Sequence, residues 1–137
     1  MDVAEVRKLD AYLKRTLGNP NLRVVPRTQE ADAADITIGD KMIGELFVDD
    51  EDDDRSYQFQ MTIPSSVAKD LTEIRKLDAY LKDIFGNQRI RVVPRPKKKD
   101  SAEVYIGDEF IGVLFVDDRA YQLQMAILED DLMDQDD

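Results

Sequence analysis

Cysteine and histidine are both absent from the 137 residues. That removes thiol nucleophiles, Cys or His zinc sites and the imidazole acid/base on which most neutral-pH hydrolases depend. Catalysis would have to rest on Asp, Glu, Lys, Arg, Tyr, Ser or Thr. Gly-rich phosphate loops, a P-loop and a Ser nucleophile elbow are missing too, so neither enzymatic activity nor a cofactor is expected. Long hydrophobic runs are also lacking. The strongest, Phe110 to Val116, is far too short to cross a bilayer, and no basic n-region and apolar h-region follow Met1. The expectation is a soluble cytoplasmic protein that does not engage membranes.

Basic residues are scarce beside acidic ones, 19 against 30, giving a net charge of −11. The imbalance is local. Asp49 to Asp54 and Glu129 to Asp137 carry 12 of the acids and none of the bases, which leaves 18 acids against 19 bases elsewhere. The body is therefore nearly neutral, and the low pI does not make it an all-round acidic DNA mimic. The loop does not suit calcium either. An EF-hand beginning at Asp50 needs Gly at 55 and Glu at 61, where the chain has Arg55 and Met61. No metal site is expected.

What is present is a stretch that occurs twice. Ile38-Gly39-Asp40-Lys41-Met42-Ile43-Gly44-Glu45-Leu46-Phe47-Val48 returns as Ile106-Gly107-Asp108-Glu109-Phe110-Ile111-Gly112-Val113-Leu114-Phe115-Val116. Apolar runs flank Gly-Asp on both sides, which reads as a hairpin with a two-residue II′ turn and glycine at the position of positive φ. Asp40 and Asp108 are turn formers here rather than candidate acids.

Upstream, Asp2 and Glu5 form an N-terminal capping-box pattern, and Val3, Val6, Leu9, Leu13 and Leu17 make a helical stripe that stops at Gly18-Asn19. Leu22 to Arg27 is a β-branched run broken by Pro26, as suits an edge strand. Tyr57-Gln58-Phe59-Gln60-Met61-Thr62-Ile63 alternates strictly and is the clearest strand. The order is α-β-β-β-β. Arg7 to Lys14 then recurs unchanged as Arg75 to Lys82, and Arg23 to Arg27 as Arg91 to Arg95, at an offset of 68 residues that falls to 64 after the acidic loop. A second capping box is expected at Asp70 and Glu73.

Two copies of one unit are implied: residues 1–63, a linker at 64–69, residues 70–128, and an acidic tail at 129–137. The fold class is α+β, each unit an antiparallel sheet with one helix on a face, joined as a pseudo-two-fold dimer within one chain, so that the molecule is a monomer. The tail reads as disordered, with Leu132-Met133 a short anchor for a partner.

The run from Ile90 to Phe115, with Gln124 to Leu128, resembles a small, mainly alphaproteobacterial family of unknown function whose members are single copies of this unit. The first unit departs from that pattern at Thr28 to Ala33, which lacks the basic run, and at Glu45, where the pattern is apolar. The resemblance implies no activity, cofactor or functional residue.

Function then rests on surfaces. In the first unit Ile36, Ile38, Met42, Leu46, Val48, Tyr57, Phe59, Met61 and Ile63 should face the helix, with Gly44 letting it approach. The opposite face of the second unit carries Tyr105, Ile111, Val113 and Phe115 beside Gln122 and Gln124. Left wet, that apolar content marks an interface. It is expected to pack the two units on each other, and its remainder, or an unpaired edge strand, to receive another protein. The leading function is thus a non-catalytic protein-protein interaction module. The alternative is a weak nucleic-acid or phosphate binder using Arg91, Arg95, Lys97, Lys98 and Lys99, with Tyr105 stacking on a base. Lysines that discourage strand aggregation explain the same run more simply.

Overall fold

Asp2 opens the first helix as its spacing with Glu5 requires. In the computed structural model, which describes residues 1–50, 55–118 and 120–133, the Glu5 N–H donates to Asp2 Oδ1 at 2.8 Å and the Asp2 N–H to Glu5 Oε1 at 3.0 Å. Helix α1 (Val3–Leu17) ends at Gly18, whose left-handed φ of 67° lets its N–H reach Lys14 O. Helix α2 (Ile74–Phe85) ends in the same way at Gly86 but begins differently. The second capping box does not form: Asp70 Oδ1 accepts from the Thr72 N–H at 2.8 Å and from the Thr72 hydroxyl. Ala4 stands at the equivalent position in the first copy and has no hydroxyl to compete for the cap.

The strands are β1 (Leu22–Pro26), β2 (Ala33–Ile38), β3 (Lys41–Asp49), β4 (Ser56–Pro64), β5 (Ile90–Arg95), β6 (Lys98–Ile106), β7 (Glu109–Asp117) and β8 (Ala120–Leu128). They form one antiparallel eight-stranded sheet in the order β1-β2-β3-β4-β8-β7-β6-β5. Contacts divide the chain into two compact units, Met1–Phe59 with the stretch from Ala126 on, and Gln60–Met125. Strands β4 and β8 each supply residues to both units.

Within the first unit, Leu9, Leu13 and Leu17 of α1 are buried, as are Leu22 and Val24 of β1, the strand that α1 contacts. The second repeats this with Leu77, Leu81 and Phe85 of α2 over Ile90 and Val92 of β5. Each such side chain contributes roughly 1.5–3 kcal/mol. Both hairpins turn on glycine, with φ of 61° at Gly39 and at Gly107 and a negative φ at the aspartates that follow, as a II′ connection requires.

Met42 is not a core residue: it is 53% exposed. A bulge shifts the β2–β3 register so that Ile36 faces Gly44 while Thr37 faces Met42, which leaves Ile43 unpaired and turns Met42 to the helix-free face. The same bulge recurs in β6–β7, where Val104 faces Gly112 and Tyr105 faces Phe110. A Cβ built on Gly112 would lie 2.4 Å from the carbonyl oxygen of Gln124, so there the glycine admits the neighbouring strand rather than the helix.

The tail differs from its expectation as well. Glu129–Met133 forms a short helix, α3, against α1, and Leu132 is only 4% exposed, buried in its own chain and unable to serve as a free anchor. Residues 51–54 and 134–137, which hold most of the acidic loop and the end of the tail, lie outside the described residues, as do the side chains of Lys98, Lys99 and Met133. No helix among the described residues is long and apolar enough to cross a membrane.

Candidate interaction face

The bulge in β7 decides what the helix-free face of the second unit presents. By placing Phe110 opposite Tyr105 it brings the two rings edge to face, 5.7 Å apart at 75°. Phe110 is nevertheless 48% exposed. Arg91 lies over the other side of Tyr105, 5.6 Å from the ring centre, and its Nη2 donates to Gly107 O at 2.7 Å. The Tyr105 hydroxyl donates to Glu103 Oε1 at 3.0 Å, and that hydrogen bond to a carboxylate raises its pKa.

The next rows follow from the register. Val113 sits between Glu103 and Gln124, and Phe115 between Ser101 and Gln122. Of the six side chains expected on this face, Val113 is thus opposite Gln124 and Phe115 opposite Gln122, while Tyr105 is opposite Phe110; these five expected residues are half-buried, and Ile111 is the half-buried bulge residue. Phe110, which strict alternation assigns to the core side, completes the patch. A paired Gly at 44 and 112 within a strand was the available signal for the bulge.

The first unit carries the same rows with different chemistry. Arg27 bonds Asp35 at 2.9 Å through Nε, Glu45 through Nη2 and Glu30 at 3.3 Å through Nη1, while lying 5.8 Å from the centre of the Phe47 ring. The hydrogen bonds it donates to Glu45 and Asp35 hold the guanidinium pKa above its usual value. Where the second unit has Val113 and Phe110, the first has Glu45 and Met42. Its face is a charge ladder, and the second unit's is aromatic and aliphatic.

Two of the five cations of the alternative reading, Arg91 and Arg95, already have partners within the chain. Arg91 is held by Gly107 O and Tyr105, and Arg95 donates to Ser101 Oγ at 3.2 Å and pairs with Glu103 at 3.5 Å. The basic run does begin on an end strand, β5, but no loop follows it: Arg95 pairs with Lys98, so only Pro96 and Lys97 turn, and β6 begins at Lys98.

A second charged cluster escaped the sequence reading because its members are 50 residues apart. Glu5 accepts from Tyr57 Oη at 2.5 Å and from Arg55 Nε and Nη2 at 2.5 and 3.2 Å. Burial raises the Glu5 pKa, but the hydrogen bonds from Tyr57, Arg55 and the Asp2 N–H outweigh it and bring it to about 2. Burial and the bond to Glu5 push Tyr57 up to about 12. These side chains line a cavity of about 630 Å³ with Asp2, Lys8 and Leu132. Every member of the triad is already bonded to another, which suits a structural clamp.

Residues 5–65 and again 73–131 match a family described as a protein of unknown function, DUF3126, and the chain belongs to that family as two tandem copies. No curated protein and no solved structure matches it.

Proposed function

We propose that this tandem member of the family is a non-catalytic protein-interaction module that docks its partner on the helix-free face of the second unit. The observation that carries the reading is the Tyr105–Phe110 pair, edge to face yet open to solvent, continuous across strands with Val113 and Phe115. Aromatic residues in a desolvatable patch supply most of the energy of protein interfaces, and the first copy replaces two of these positions by Glu45 and Met42. The two copies serve as the two subunits of a homodimer would, which is supported by the recurrence of bulge, turn and C-terminal glycine cap in each. The non-catalytic part of the reading rests on the residue types that the sequence lacks.

The test is affinity capture of the tagged chain from lysate of its source, with and without nuclease and at rising salt. One protein retained throughout is expected, and the variant Phe110→Met/Val113→Glu, which imports the first unit's residues, should reduce its retention at least about tenfold. Retention that disappears with nuclease and falls steeply with salt would replace this reading by the phosphate-binding one.

A further inference from the structure

Strands β1 and β5 end the sheet, so each pairs on one side only. In an antiparallel ladder the N–H and C=O of every second residue then point outward, and such a row is a template for another strand. The outward positions are identified by Val24 and Val92, whose N–H groups donate to side chains on the helices and not to the sheet. Residues two away on either side share that direction, which makes the outward sets Leu22, Val24 and Pro26, and Ile90, Val92 and Pro94.

No outward donor is left in either set. The Leu22 N–H donates to Asn19 O at 3.3 Å and the Ile90 N–H to Asn87 O at 3.5 Å. Val24 donates to Asp10 Oδ2 and Val92 to Asp78 Oδ2, each at 3.1 Å. Pro26 and Pro94 have no N–H. The central bond is the distinctive one. Asp is a poor residue for a helix interior, yet Asp10 and Asp78 stand in the middle of α1 and α2, the helices packed on these strands. Lys14 and Lys82, one turn on, pair with the other oxygen of each carboxylate.

We infer that Asp10 and Asp78 guard the two end strands of the sheet against addition of a further strand, including one from a second copy of this chain. An incoming strand meets acceptors without donors, and its carbonyl oxygens meet a carboxylate that is already bonded. Partner contact through an unpaired edge, one of the routes drawn from the sequence, is thereby closed, and the sheet face remains.

The experiment uses the full chain. Wild type should sediment as a monomer. Asp78→Ala, which opens one edge, should form a dimer that stops there, and Asp10→Ala/Asp78→Ala should form longer, concentration-dependent assemblies. Exchange of the Val24 and Val92 amides should speed by about tenfold or more in the double variant. Asp10→Asn/Asp78→Asn keeps an acceptor oxygen and should stay monomeric. The Ala double variant remaining monomeric at the highest soluble concentration, with both amides still protected, would overturn the inference, as would a wild-type chain already paired through β5. Should the double variant lose its circular dichroism, the single Asp78→Ala chain decides, a dimer supporting the guard role and a monomer with a protected Val92 amide refuting it.

Discussion

Glu5 shows how one side chain acquires three partners that its own neighbourhood in the sequence cannot supply. Its local bond to the Asp2 N–H is the capping box, whereas Arg55 and Tyr57 arrive from the end of the acidic loop and the start of β4. Because its folded pKa is about 2 against an ordinary 4.5, its contribution is fully present above about pH 4.5 and is lost as pH falls toward 2. With the side chain 21% exposed, the shift corresponds to at most about 3 kcal/mol, shared with its two partners. Tyr57 has the opposite sign. Its folded pKa is raised from 10 to about 12, so the stability it carries is whole below pH 10 and lost on the way to 12. Urea midpoints should therefore fall between pH 5 and 2.5 in wild type and change much less over that range in Glu5→Gln, while Tyr57→Phe should flatten the alkaline limb instead.

The elements divide by how local their causes are. Helix α1, its cap, the Gly39 and Gly107 turns and the alternating strand from Tyr57 were legible because each depends on residues within a few positions of one another. The bulge was not, since Ile43 and Ile111 become extra residues only when β2 and β6 take up their register. Two glycines separate these cases experimentally. Gly39→Ala has open space and pays only for its φ of 61°, about 1 kcal/mol. Gly112→Ala forces a methyl to 2.4 Å from the Gln124 carbonyl and should cost about 2 kcal/mol or more, with the β7–β8 ladder losing amide protection. Equal costs in thermal unfolding would mean that β8 yields to the methyl.

For the whole molecule, repetition in the sequence and compactness in space do not share boundaries. The stretch after β8 belongs to the first unit, where Leu132 of α3 is buried near α1, and the stretch after β4 belongs to the second, where the Tyr121 hydroxyl donates to Ala68 O at 2.7 Å. Leu132→Ala should therefore cost about 2 kcal/mol and weaken protection of the α1 amides while leaving those of α2 unchanged. Loss at α2 alone would contradict that assignment. The sequence by itself determined the doubled α-β-β-β-β order, the hairpins, the first cap and the apolar content of the open face, because periodicity and turn chemistry act over short separations. Only the tertiary structure decided that eight strands form one sheet, that Phe110 turns outward, that the tail closes on α1 and that Asp10 and Asp78 hold the sheet's ends. Each of these depends on which distant backbone groups remain to be paired, or which apolar side chains remain to be buried, once the local elements have formed.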